Sequence, residues 1–127
     1  MIIEPWSATE PEGFLVWSQT AARTASDKLG RDTLLIDVGE VLVVTDVFVI
    51  TSGTSARHVH TLVEAIEDEV AAVGGPRPRG IEGRDTDQWV LMDYGAFVVH
   101  VFDEERRSYY NLENLWSDRP VLAWKPS

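Results

Sequence analysis

The arrangement that most constrains this fold is a strand-like segment followed at once by an amphipathic helix. Val47–Ile50 is a run of β-branched and aromatic residues typical of a buried strand. After Thr51–Ser55, apolar residues recur every three or four positions, and the acidic residues fall largely on the other side. The apolar positions are Val59, Leu62, Val63, Ile66, Val70 and Val73. A strand joined to such a helix by a few polar residues favours a layered α/β domain.

Similar patterns predict the remaining elements. A first helix begins near Phe14, because apolar residues from Trp17 to Leu29 share one face and Gly30 follows as a stop. We also predict strands at Leu34–Val38, Val41–Ile50, Trp89–Asp93 and Phe97–Phe102, with turns near Gly39 and at Tyr94–Gly95. A long connection over 74–88 has room for a short strand. A short helix is predicted within Arg106–Trp116. The predicted fold class is mixed α/β (α+β), a small mixed β-sheet flanked by helices.

Size and charge limit the classes of function. A chain of 127 residues is expected to form one domain, here residues 13–119, with a flexible leader over 1–12 and a C-terminal tail over 120–127. The net charge of −10 argues against a general nucleic-acid binder, since phosphate neutralisation requires Lys and Arg. The charge favours a basic protein partner, although negative charge that only maintains solubility is an equal alternative.

The location is also constrained by composition. The longest apolar runs are four residues, which is too short for a membrane-spanning helix, and the first residues do not resemble a secretory signal. The chain contains no cysteine, so a disulfide or thiolate metal site is excluded. We therefore expect a cytoplasmic protein without a membrane, metal or cofactor requirement.

The polar motifs have structural interpretations that compete with functional ones. Ser52–Ser55 is predicted to be a turn with a helix N-cap rather than an anion cradle, because it lacks the lysine and glycine spacing of phosphate-binding loops. His58 and His60 are two residues apart, so a helix directs them to different sides and they do not form a metal pair. His100 lies in an apolar strand, where a structural or interface role is favoured over a catalytic base. Asp103–Glu105 is expected to be a solvated turn, with cation binding as the alternative.

The aromatic residues suggest a binding surface. Five tryptophans are many for this length, and several aromatic side chains lie beside polar neighbours: Trp89, Tyr109, Tyr110 and Trp116. Trp and Tyr dominate interface hot spots because they bury a large area with few rotatable bonds. Core packing is the equal alternative for each residue alone. The polar approach Asp85–Gln88 favours an exposed Trp89, whose truncation would then cost binding more than stability.

An ordered set of sequence blocks resembles the ribosomal silencing factor (Iojap-like) family between about Thr33 and Trp116. The blocks are Thr45–Gly53, Arg57–Val59, Glu82–Gly83, Trp89–Gly95, Val98–Phe102 and Tyr109–Trp116. The chain departs from the family pattern at Ala96, where an acid or amide is usual, and before Phe14. The resemblance implies a factor that binds a protein on the joining face of the large ribosomal subunit. It also implies that docking of the small subunit is blocked sterically, which lowers translation when nutrients are scarce.

The same resemblance implies a fold similar to nucleotidyltransferases but without their catalysis. Those enzymes hold magnesium with paired carboxylates two residues apart on a strand. The corresponding strand here carries Asp93 alone, with Leu91 at the partner position. A divergent nucleotidyltransferase that combines Asp93 with acids from elsewhere is the alternative hypothesis.

Contact residues are expected on the Trp89 strand, on the segment that leads into it and near the last predicted helix. We assign Glu82, Trp89, Leu91, Asp93, Tyr94, Tyr110, Leu112 and Trp116 to partner binding. Alternation places Trp89, Leu91 and Asp93 on one sheet face, which forms a surface patch if no helix covers it. An uncovered face or edge would also suit a homodimer.

Overall fold

A computed structural model describes residues 13–39, 42 and 45–125 of the chain. The described elements are helix α1 (Gly13–Asp27), strands β1 (Arg31–Asp37) and β2 (Val47–Gly53), helix α2 (Ala56–Ala72), strands β3 (Gly80–Glu82), β4 (Trp89–Asp93) and β5 (Phe97–Asp103), and helices α3 (Glu104–Tyr110) and α4 (Leu112–Leu115). The predicted mixed α/β fold, a mixed sheet flanked by helices, is confirmed.

The five strands form one sheet in the order β1-β2-β5-β4-β3. Only β2 and β5 are parallel, and the other neighbouring pairs are antiparallel. Trp89–Asp93 and Phe97–Asp103 form the predicted hairpin, with Gly95 in its turn at φ +88°. β2 is buried along its whole length, which explains why its first four residues are continuously apolar rather than alternating.

The main core lies on the sheet face that α1 and α2 cover. Side chains of both helices pack there against alternate residues of the central strands, among them Leu35, Val49, Met92 and Val99. The helix that begins after Ser55 is confirmed together with its cap, since Ser55 Oγ accepts a hydrogen bond from the His58 amide at 3.1 Å. The apolar face predicted for this helix is buried from Val59 to Val70.

The region after β5 differs from the sequence expectation. Asp103 is an N-cap rather than part of a turn, because its carboxylate accepts from the Arg106 amide at 2.7 Å and helix α3 begins at Glu104. The acids at 104 and 105 therefore occupy a first helical turn, where they complement the helix dipole. The single helix predicted over Arg106–Trp116 is two short helices, because Asn111 adopts a left-handed conformation at φ 48°.

The segment 121–124 lies along the edge strand β1. The Leu122 amide donates to the Leu35 carbonyl at 2.7 Å, and Trp124 Nε1 donates to the Thr33 carbonyl at 3.2 Å. The division into a domain over 13–119 and a tail stays a prediction, and the proposed leader over 1–12 lies outside the described residues. Across the described part of the chain, no helix has the length and apolarity needed to cross a membrane.

Candidate interaction face

Among the described residues, no long helix lies over β4 on the second face of the sheet. Val90 and Met92 point into the helix-covered core and are fully buried, whereas Trp89, Leu91 and Asp93 are only partly buried. Glu82 pairs directly with Leu91 across the β3–β4 ladder and is exposed, so it joins the same face. The structure therefore brings together Glu82, Trp89, Leu91 and Asp93, which we call the open face.

An aromatic cluster continues the open face towards α3 and α4. Its members are Phe48, Trp89, His100, Phe102, Tyr110 and Trp116. Trp89 stacks on Phe102 with ring centroids 4.9 Å apart, and Tyr110 lies against Trp89 at 4.7 Å while remaining 50% exposed. Trp116 meets the ring of Phe48 edge-on at 5.7 Å. Tyr110 and Trp116 thus lie beside the open face, as the sequence predicted.

Leu112 and Tyr94 have different positions. Leu112 packs on the small core beneath the aromatic cluster, together with Trp116. Tyr94 points to the helix-covered face, where it is 7% exposed and stacks on Phe97 at 4.5 Å. Burial raises the pKa of the Tyr94 hydroxyl, and the negative charge of Glu67 raises it further. Tyr94 is the one predicted contact residue that the fold separates from the others.

A hydrogen bond holds the Trp89 side chain in place. Trp89 Nε1 donates to His100 Nδ1 at 3.2 Å, across the pair of strands β4 and β5. Truncation of Trp89 would remove this bond and the stacking on Phe102, and would leave a buried acceptor unpaired. We therefore expect a larger loss of stability than an exposed tryptophan would give.

His100 is neutral at physiological pH. The side chain is 4% exposed, and burial lowers the pKa of its imidazole to about 4. Because an indole N–H can only donate, His100 Nδ1 must be an acceptor and its proton must reside on Nε2. The position supports the structural or interface role that the sequence favoured.

This buried histidine should make stability fall in mild acid. The folded pKa of about 4 lies below the unfolded value of 6.5, so below pH 6.5 the unfolded chain binds a proton that the folded chain excludes. The contribution is present above pH 6.5 and is lost as the pH falls towards 4, amounting to about 2 kcal/mol between pH 7.5 and pH 5.

The measurement is urea unfolding of the wild type and of His100→Asn at both pH values. The non-titrating variant should lose about 2 kcal/mol less than the wild type across this interval. An equal loss in both proteins would show that His100 is not responsible.

The acidic residues of this face do not assemble a metal site. Asp93 Oδ1 accepts from the Gly95 amide at 2.8 Å and lies 3.6 Å from Arg79, so the carboxylate closes the β4–β5 turn. Within residues 13–39, 42 and 45–125 there is no group of three His, Cys, Asp or Glu side chains arranged to hold a metal ion. His58 and His60 have separate partners, the Lys28 carbonyl and the Glu64 carboxylate respectively.

Arg107 is a structural residue that the sequence analysis did not single out. Its guanidinium donates to the carbonyls of Arg31 and Asp32, to Ser52 Oγ and to Glu113, at 2.7–3.3 Å. These bonds join α3 and α4 to β1 and β2 and thereby hold the helices beside the open face. The residue is 7% exposed, although no local pattern distinguishes it from its neighbour Arg106.

Comparisons with known proteins agree on one family. A family model described as "Ribosomal silencing factor during starvation" matches residues 14–126. A relative from Bacillus subtilis (strain 168), named Ribosomal silencing factor RsfS, is 42% identical over 101 residues, which cover 80% of this chain and 85% of the relative. A Mus musculus relative, named Mitochondrial assembly of ribosomal large subunit protein 1, is 39% identical over 70% of this chain and 40% of its own length.

Solved structures give the same result. A crystal structure of a Chromobacterium violaceum protein superposes with a TM-score of 0.76 and 29% identity, and the match covers 89% of both chains. A Bacillus halodurans crystal structure gives a TM-score of 0.69 and 32% identity, over 83% of this chain and 94% of that one. The sequence and structural similarity therefore extend over most of the described fold.

Proposed function

We propose, from the fact that this chain belongs to the ribosomal silencing factor family, that it binds a basic protein on the large ribosomal subunit and blocks association with the small subunit. Family membership gives the chain a ribosome-associated silencing role. We extend this role to the subunit that is bound, the face that binds it and the way in which binding silences translation. We also propose that the protein is cytoplasmic and acts there when nutrients are limiting.

The open face and its aromatic cluster carry the proposal. Leu91 and Trp89 present apolar surface on a strand that no long helix covers, and Tyr110 and Tyr109 extend it, with Tyr109 79% exposed. Partly buried aromatic side chains surrounded by polar residues are typical of protein-binding hot spots. A face of this kind is more suited to a protein surface than to a small molecule, since it is broad and shallow rather than enclosed.

The charge of the chain supports a basic partner. The chain carries a net charge of −10, and exposed acids such as Glu82 and Glu105 lie around the open face and on α3. A partner surface rich in Lys and Arg would complement this charge, because opposite charges accelerate encounter and orient the partners. The name of the mouse relative refers to the large ribosomal subunit, which supports that subunit as the partner.

The proposed mechanism is steric occlusion. A folded domain bound to the joining face of the large subunit would occupy space that the small subunit requires, so silencing needs no chemical step. No observation favours the alternative of nucleotide transfer, because Asp93 is engaged by Arg79 and the Gly95 amide and lacks a second carboxylate on its strand.

The test is co-sedimentation of the purified protein with separated large subunits, small subunits and intact ribosomes. We expect binding to large subunits alone, and reduced formation of intact ribosomes when small subunits are added afterwards. Binding to small subunits, or binding to large subunits without any effect on association, would contradict the proposal.

A further inference from the structure

We infer that His100 Nε2 and Trp116 Nε1 are hydrogen-bond donors that the docked partner satisfies with main-chain carbonyl oxygens. Both N–H groups are shielded from solvent, and neither has a hydrogen-bond partner among the described residues. The inference rests on the proposed function, because it assigns a role in docking to two atoms of the aromatic cluster.

The geometry at Trp89 defines the state of the His100 donor. Because Trp89 Nε1 donates to His100 Nδ1 at 3.2 Å, the imidazole proton is on Nε2. That N–H lies in the aromatic cluster, with the ring of Phe48 edge-on at 4.6 Å. Buried N–H groups in native proteins almost always have an acceptor, so an unpaired one requires an explanation.

Trp116 repeats the same feature a short distance away. Its indole packs edge-on against Phe48, the ring that His100 also contacts, and its Nε1 lacks an acceptor among the described residues. The tryptophans at 89 and 124 both donate, to His100 Nδ1 and to the Thr33 carbonyl. An unpaired indole N–H is therefore not a general property of tryptophan in this fold.

Helix α4, which ends at Trp116, makes few buried contacts. Helix α4 has four residues, none of them buried, and Asn111 at its start makes no side-chain capping bond. Leu115 on this helix is 70% exposed. Local elements with so few buried contacts open readily, so α4 and the Trp116 indole at its end can shift on docking and give a partner access to the aromatic cluster that contains both donors.

The electrostatics of the face select the acceptor. Lys and Arg side chains can only donate, so a basic partner must supply acceptor oxygens from elsewhere. A partner carboxylate would be disfavoured by the net charge of −10 and by the exposed Glu82 on the open face. Main-chain carbonyls carry no net charge and accept well from indole and imidazole N–H groups, so an exposed loop or strand edge of a basic protein fits both donors.

The sharpest test removes one N–H without changing the shape of the side chain. We would place β-(benzothien-3-yl)alanine, in which sulfur replaces the indole N–H, at position 116 by nonsense suppression. The expected result is an affinity for large subunits about 5- to 100-fold weaker, because a partner carbonyl that is buried on docking loses its only donor. The melting temperature of the free protein should be unchanged or higher, because the group removed is unpaired in the free state.

Position 124 is the matched control. The same analogue there removes an N–H that already donates to the Thr33 carbonyl, away from the open face. We expect a lower melting temperature and unchanged affinity, which is the opposite combination. His100→Asn tests the second donor, since its amide oxygen can take the place of Nδ1 and accept from Trp89 while its shorter amide NH2 does not reach the Nε2 position. Affinity should again fall at least fivefold.

The failures are distinguishable. If the wild type does not bind large subunits, the proposed function is wrong. If the wild type binds and both position 116 and His100→Asn leave affinity within twofold, the inference is wrong and the proposed function stands. A lower melting temperature for the analogue at 116 would also overturn the inference, since it would show that the N–H is already paired in the free protein.

Discussion

Replacing Arg107 by alanine should lower the free energy of unfolding by about 3 to 5 kcal/mol, the range for removing one partner of a buried ion pair. The guanidinium is the common donor to two β1 carbonyls, to Ser52 and to Glu113. Its loss removes the donor from the partly buried Asp32 carbonyl and from the Glu113 carboxylate, leaves Ser52 Oγ and the Arg31 carbonyl bonded only to each other, and detaches α3 from the start of β1. Urea unfolding monitored by tryptophan fluorescence measures the change.

Two further variants separate geometry from charge. Arg107→Lys retains the charge but cannot reproduce the planar fork, so we expect it to recover less than half of the loss. Arg106→Ala on the same helix removes an arginine that pairs only with the exposed Glu105, and should change stability by less than about 1 kcal/mol. If Arg107→Ala and Arg106→Ala were equally stable, the buried network would have no structural importance.

Leu91→Lys should weaken large-subunit binding by at least about 30-fold, or 2 kcal/mol, which is the threshold for an interface hot spot. Leu91 lies between Trp89 and Asp93 on the open face, so a cation there would meet a basic partner. The fold should be retained within about 1 kcal/mol, because a lysine can extend its amino group to solvent and Glu82 lies directly across the strand pair.

Val16→Lys is the matched control for this substitution. Val16 is an exposed apolar residue on α1, on the layer behind the sheet, so the same change in charge should leave binding unaffected. Affinity and urea midpoint are measured on the same preparations. Equal affinities for the Leu91 and Val16 variants would remove the open face from the docking surface.

Local sequence patterns predict which residues of β4 lie on the open face. Period-two alternation correctly places Trp89, Leu91 and Asp93 on one side of β4. The same rule assigns the next residue, Tyr94, to the opposite side, and the structure places it in the helix-covered core. The set of predicted contact residues nevertheless included Tyr94, although alternation separates it from the others.

The start of α3 has a recognisable sequence pattern, although we expected a solvated turn at this position. Asp103 followed by two glutamates is the pattern of an N-cap and an acidic first turn, and it marks the start of α3. The interruption at Asn111 has a weaker signal, since asparagine tolerates the left-handed region in many contexts without breaking a helix.

Local sequence patterns predict most of the elements and the side on which their apolar residues lie, because strand alternation, helical spacing and capping act over no more than a few residues. Tertiary structure decided which sheet face is open, since that depends on where α1 and α2 pack. It also decided the partners of Arg107 and Trp89. Arg107 donates to carbonyls 75 and 76 positions away, and Trp89 meets His100 through the register of β4 on β5. Such contacts follow from strand order, which no local pattern in the chain encodes.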